Sequence, residues 1–301
     1  MHHPAISFKH ELSRVKRLVK SDYPPLFTAR SFALSIKSSR EPVNQDCYLA
    51  ADHFPAPSRS PPGLRHLHGK SSDPNDSLFV VADGQGDSHQ GMRASGLAIE
   101  VIDEYLRYTW HHHQRRDQIA TRRQILNALR IAFDRADQFL WNESHEEGTR
   151  REMAASVTAA CSYHGSLFLG QAGDTQAFLW RAGNLHRLTR PTSQSVTGDL
   201  DTSDDIEANR QANLNHKYGV IGGHRAGVHV RLRTLDLEPN DYLILCTKGL
   251  LSCVRELYLG STISANPDPQ RICEMLVAEA EKKFVHDDAT VVVARFALAH
   301  E

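Results

Sequence analysis

The chemistry this chain can offer is concentrated in aspartates at the ends of apolar runs. Asp46 follows Asn44-Gln45, and Asp83 closes the run Phe79-Val80-Val81-Ala82. Asp174 follows Gly170-Gln171-Ala172-Gly173, and Asp287-Asp288 immediately precedes the run Thr290 to Phe296. A carboxylate at a strand end can converge on a shared site without being buried inside the sheet. Hard cations such as magnesium and manganese take oxygen ligands of this kind. Two such ions sharing a bridging carboxylate lower the pKa of a water and hold phosphate oxygens. Each aspartate taken singly also has a plainer reading, because Asp and Asn side chains bond nearby turn amides at strand ends.

The elements that must position these groups follow from periodicity. Strand signals begin at Phe32 to Ile36, and Leu78 to Ala82 is the short continuous apolar run of a buried strand. Residues 52–77, rich in Pro, Ser, Gly and Asp, read as a long surface loop. Two long helices follow, with Ala94, Leu97-Ala98, Val101-Ile102 and Tyr105-Leu106 on one stripe and Ile125 to Leu140 on the next. Ser156 to Tyr163, Ser166 to Gln171, Thr175 to Trp180 and Leu185 to Leu188 then read as successive strands. Turns at Gly165 and Gly183-Asn184 predict that consecutive members pair as hairpins. Residues 190–217 are polar and read as a flap. Strands are expected at Val228 to Leu235, Tyr242 to Cys246 and Thr290 to Phe296, with a last helix carrying Ile272, Met275-Leu276, Ala280 and Phe284 on one face. Helices in separate blocks around antiparallel strands make an α+β domain.

Residues 1–27 read as a helical extension, with Phe8, Leu12, Val15 and Leu18-Val19 among basic residues and Pro24-Pro25 ending it. It either packs on the body or presents a basic face to a membrane surface or partner. The remainder, 28–301, forms one domain. The formal net charge of -1 gives no global case for nucleic acid. No apolar run is long enough to span a bilayer. The five cysteines are odd in number and show no C-x-x-C spacing, so no disulfide framework or zinc site is expected; three sit inside apolar runs and read as small buried hydrophobes, in a reducing, cytoplasmic setting. His111-His112-His113 reads as a solvated helix end, or as an adventitious metal site.

The same residues resemble the metal-dependent protein phosphatase (PPM, protein phosphatase 2C-like) family. Asn44-Gln45-Asp46 is similar to its N-Q-D or N-E-D, and Val81-Ala82-Asp83-Gly84-Gln85-Gly86 with Gly91 to Ser95 to V-A-D-G-M-G-G-H...G-x-x-A-S. Gln171 to Ala177 resembles A-N-V-G-D-S-R-A, and Leu188-Thr189 the L-T after it. Leu237 to Leu250 resembles L-x-P-G-D-x-L-L-L-C-S-D-G-L, and Asp287 to Val293 resembles D-N-x-T-V-V-V. Five motifs in family order run from about residue 30 to 297. The resemblance implies a four-layer α-β-β-α sandwich of two antiparallel sheets flanked by helices. It implies manganese or magnesium bridged by Asp83, with the Gly84 carbonyl and Asp287 as further ligands. Asp46 would hold metal-coordinated water, Asp174 would serve a weaker third site, and Arg40 would bind phosphate. The substrate or partner implied is a phosphoserine or phosphothreonine protein, or a component of a serine/threonine kinase pathway.

One departure bears on function. The family's D-G-L aspartate, a ligand of the first metal, is Lys248 here, which moves the site two charge units toward positive. Lys248 can fill the metal position and pair with Asp83 and Asp287, or turn outward. Gln45, Ala154-Ala155-Ser156, Val285-His286 and Arg190-Pro191-Thr192-Ser193 depart as well, and Asp201, Asp204 and Asp205 are candidates for the flap carboxylate. Three functions follow: a divergent phosphatase with fewer ions and reduced or absent activity, a pseudophosphatase that binds protein, or an acidic metal-binding protein unrelated to phosphate.

Overall fold

The apolar run around Val80 occupies strand β4 (Ser77–Gln85), whose first six residues are all buried. A strand buried on both faces loses the polar alternation of a half-exposed one, and the surrounding layers show why. The structure is a computed structural model that describes residues 26–52, 65–67, 76–114, 120–145, 153–191, 219–283 and 286–299. In it β4 pairs antiparallel with β2 (Asp46–Ala51) and β5 (Ala154–Tyr163). With β3 (Arg65–Leu67), β6 (Ser166–Ala172) and β9 (Arg231–Asp236) they form a sheet of order β3-β2-β4-β5-β6-β9. The second sheet takes β1 (Phe27–Ile36), β7 (Gln176–Arg181), β8 (Asn184–Arg187), β10 (Tyr242–Cys246) and β11 (Ala289–Leu298), in the order β1-β11-β10-β7-β8.

Three apolar clusters separate four layers. Leu49, Val80, Ala82 and Val157 pack one face of the first sheet against α1 (Ser88–Gln114) and α2 (Arg122–His145), through residues such as Ile102, Leu129 and Phe133. Tyr48, Phe79, Val81 and Leu169 face Leu243, Leu245, Val292 and Phe296 between the sheets. The outer face of the second sheet packs Ile244, Val291 and Val293 against α3 (Lys248–Cys253), α4 (Glu256–Ala265) and α5 (Pro269–Lys282). This is the expected α+β, α-β-β-α sandwich. All five cysteines are buried and free, where burial pushes the Cys161, Cys246 and Cys273 thiols up.

Several local expectations change. Consecutive strands from β5 to β8 do not all pair: β5–β6 and β7–β8 are hairpins, but β6 and β7 lie in different sheets. The chain crosses at Gly173, whose φ of 90° suits glycine, and a Cβ there would stand 2.3 Å from Ser156 Oγ. The stretch expected as one long loop contains β3, parallel to β2. Phe27, the last residue of the expected extension, begins β1 opposite Leu298, while residues 1–25 lie outside the described residues. So do residues 192–217 of the expected flap, with Asp201, Asp204 and Asp205. Strand β9 starts at Arg231, so Val228 and Val230 precede it while still packing on the helical core. His111–His113 fall near the end of α1. Helices α3 and α4 were not expected. Among the described residues no helix is long and apolar enough to cross a membrane.

Candidate active site

Register brings the first two carboxylates together. Asp46 lies directly opposite Asp83 across the β2–β4 ladder. Directly opposed residues project on the same face, with Cβ atoms about 5 Å apart. That face is the one Tyr48 and Val81 turn toward the second sheet. A slip of one residue would send both carboxylates to the helical side.

Asp46 is 2% exposed and is held by hydroxyls from the opposite sheet. Thr247, just after β10, donates to its Oδ2 at 2.8 Å, and Thr290 of β11 donates to the same oxygen at 2.7 Å. Thr290 N–H donates in turn to Thr247 Oγ1 at 2.9 Å. Ser35 Oγ lies 2.6 Å from Thr290 Oγ1 and accepts from Asn44 Nδ2 at 2.7 Å. Asn44 Oδ1 closes the turn by accepting the Asp46 N–H at 2.9 Å. This network ties the sheets together at the edge where the acidic motifs meet. Burial, then the Asp83 charge, push the Asp46 carboxyl well above the usual range, against the two threonine hydroxyls.

Asp83 is the electrostatic centre. Burial raises its carboxyl to about 7. The Asp287 carboxylate adds to the rise, the Lys248 ammonium opposes it, and Asp288 and Asp174 raise it further. Asp287 is also raised, first by desolvation, with the Asp288 N–H and Lys248 among the groups holding it down. Lys248, though exposed, thus acts on both carboxylates. Asp174 reaches the site because the sheet crossover at Gly173 carries it there, 8% exposed.

Backbone packing sets these positions closely. A Cβ on Gly84 would meet the Gly91 carbonyl oxygen at 1.9 Å, and one on Gly91 would meet Gln45 Oε1 at 1.9 Å. Gln45 therefore lies against the first turn of α1, and its carbonyl accepts from Gly84 N–H and Ser95 Oγ. A Cβ on Gly249 would meet the Asp288 carbonyl oxygen at 1.9 Å, so the start of α3 presses on the Asp287-Asp288 backbone and places Lys248 beside it.

The donors at Asp83, the Gly84 carbonyl and Asp174 are hard oxygens, the chemistry that suits manganese or magnesium. Among the described residues no three His, Cys, Asp or Glu side chains form a ready-made ligand cluster. An ion here would keep water ligands, as magnesium habitually does. At the Asp287 end the nearby cation is the exposed Lys248 ammonium, whose charge lowers both the Asp287 and the Asp83 carboxyls.

Arg40 is exposed in the loop from β1 to β2, its N–H donating to Ser38 Oγ at 3.3 Å. The largest influences on Asp83 and Asp287 include Lys248 rather than Arg40. Asp288 has a role not foreseen in the sequence. It is 4% exposed and clamps the same loop, accepting from Ser38 N–H and Gln45 N–H at 2.6 Å each. Thr247, Thr290 and Ser35 were likewise missed, since a threonine or serine beside a motif carries no signal of its partner.

Comparisons with known proteins bear on the fold and the family. The family model described as protein phosphatase 2C matches residues 66–283, well over half of the chain. The chain belongs to the protein phosphatase 2C family. It is 22% identical over 223 residues to the serine/threonine phosphatase stp of Listeria welshimeri, covering 73% of this chain and 84% of that protein. Over 300 residues it is 24% identical to probable protein phosphatase 2C 56 of Oryza sativa, covering 91% and 81%. Its fold is similar to the Mycobacterium tuberculosis serine/threonine phosphatase PstP/Ppp, with a TM-score of 0.65, 20% identity and coverage of 90% and 99%. It is also similar to PppA, a regulatory component of T6SS in Pseudomonas aeruginosa, with a TM-score of 0.64, 20% identity and the same coverage. Another similar structure, at TM-score 0.64, is the catalytic domain of PstP in complex with 2 manganese ions.

Proposed function

We propose that this chain is a divergent protein phosphatase 2C domain whose hydrolysis of phosphoserine and phosphothreonine proteins is absent or much reduced. The observation that carries this is the charge of Lys248, which acts on both Asp83 and Asp287. Asp83, the Gly84 carbonyl and Asp174 would hold one manganese or magnesium ion, fewer than the two in the PstP structure. When bound, such an ion polarises a phosphoryl oxygen. The chain's own groups do the remaining work. Asp46, fixed by Thr247 and Thr290, anchors β2 beside Asp83. Lys248 offsets part of the Asp287 charge and offers a point charge to an incoming phosphate. Arg40, on the exposed loop clamped by Asp288, is a second group for that phosphate.

An ammonium in place of a ligand also favours a second reading, a pseudophosphatase that binds phosphoproteins of a kinase pathway in the cytoplasm. The retained Asp83, Asp174 and Asp287 argue for residual turnover. Manganese-dependent hydrolysis of a phosphothreonine peptide by the purified chain, with Asp83→Ala as control, tests the proposal. A rate close to the control is expected. Efficient turnover that vanishes in Asp83→Ala would overturn the reduced-activity reading.

A further inference from the structure

At the far end of both sheets, β8 and β9 are edge strands, and the chain around them encloses a cleft of about 800 Å³. Arg187, Arg190, Arg231 and Arg233 all line it, and no carboxylate does among the described residues. Two of these arginines are oriented by backbone carbonyls across the cleft: Arg231 donates to the Arg190 carbonyl at 2.7 Å, and Arg233 to the Leu188 carbonyl at 3.0 Å. Arg187 lies over the Phe178 ring and pairs with Glu256 and Gln176. A guanidinium carries five N–H donors in a fixed fork, so the bond of Arg233 to one carbonyl aims it without exhausting it.

The floor supplies a second observation. Gln171 is 2% exposed and spends its amide N–H groups on the carbonyls of Gly173, Thr175 and Arg190. Its Oε1 is buried without a hydrogen-bond partner. An orphaned buried acceptor is costly unless a donor arrives. Leu169, Leu188 and Leu232 give the cleft apolar lining. Arginines on edge strands also guard against unwanted pairing, but guarding does not call for a buried acceptor in the floor.

We propose that this cleft docks an extended, aspartate- and glutamate-rich segment of a partner protein. Its carboxylates would lie on the arginines, one main-chain N–H would reach Gln171 Oε1, and its backbone would run along an open sheet edge. Edge addition of this kind draws affinity from main-chain bonds and specificity from alternate side chains. The charge of the cleft selects an acidic strand over a neutral one. Gln171 sits at the end of β6, and the crossover just after it carries Asp174 toward Asp83, so a docked segment would lie behind the candidate active site. The inference does not require turnover there.

The test is fluorescence anisotropy on the full chain with a short labelled peptide of alternating alanine and aspartate, and its asparagine counterpart. Wild type should bind the aspartate peptide, more weakly as salt rises, and the asparagine peptide at least about tenfold less well. Arg190→Ala with Arg233→Ala should weaken binding by about tenfold or more, while the double lysine variant retains most of it. Asp83→Ala should bind as wild type does, which separates this inference from the phosphatase reading. Absence of binding to wild type, or equal binding of both peptides, overturns the proposal. It is also overturned if binding emerges only after Asp201, Asp204 and Asp205 are neutralised, because the chain's own acidic segment would then be the occupant. If the double alanine variant unfolds, the two-peptide comparison on wild type still decides.

Discussion

Replacing Lys248 by aspartate is the perturbation whose outcome follows most directly from the site. The ammonium acts on Asp83 and Asp287 together, so Lys248→Asp changes the local charge by two units while α3 keeps its start. A unit-charge interaction about 4 Å away is worth about 4 kcal/mol at an effective dielectric of 20 and about 1 kcal/mol in water. Lys248 is exposed, which places each unit near the lower figure; doubled for a divalent ion and reduced by salt and solvent screening, that is about 1.5 kcal/mol. Two units then give about 3 kcal/mol, or roughly a hundredfold gain in manganese affinity. Lys248→Gln, which removes the positive charge without adding a carboxylate, should gain about tenfold. Isothermal titration with manganese on all three proteins reads these steps, with circular dichroism to verify the fold. If Lys248→Asp binds manganese no more tightly than wild type, the placement of Lys248 at the metal position is wrong.

Other expected outcomes concern the scaffold. Asp137 of α2, 3% exposed, accepts the Gly222 N–H at 2.7 Å, and burial raises its carboxyl to about 6. A carboxyl raised on folding contributes stability that is complete below its unfolded value near 4 and lost as pH climbs through about 6. Asp137→Asn should therefore leave stability unchanged near pH 4 and raise it above pH 7 by about 1 kcal/mol after allowance for solvent, read as a higher melting temperature there only. Thr247→Val removes a donor to the buried Asp46 and an acceptor for Thr290 N–H. Urea unfolding should show a loss of about 2–3 kcal/mol, and a loss under 0.5 kcal/mol would mean the inter-sheet network carries little. Gly249→Ala forces a Cβ into the Asp288 carbonyl oxygen. It should cost about 1–3 kcal/mol in a thermal melt, whereas Gly183→Ala, with open space around the Cβ, should cost mainly the strain of its positive φ.

The sequence alone determined where the acidic motifs lie and in what order they come. The aspartates at strand ends, the continuous run of β4 and the stripes of α1 and α2 are local patterns, written in spacings that survive without partners. The resemblance added the sandwich, because five short motifs in one order are specific together. Only the tertiary structure decided what those residues face. The β6–β7 connection reads as a hairpin turn, yet it crosses between sheets and so brings Asp174 toward Asp83, a choice made by packing around Gly173. Asp288 looks like a duplicate of Asp287 but is turned inward onto two backbone amides of a loop some 240 residues away. Thr247 and Thr290 have no periodic signature, and acquire a role only when β10 and β11 are laid over β2. The arginine cleft joins Arg187 and Arg190 to Arg231 and Arg233 because two sheet edges meet there. Local pattern follows from chain stereochemistry and burial, whereas convergence of distant side chains is set by how layers stack.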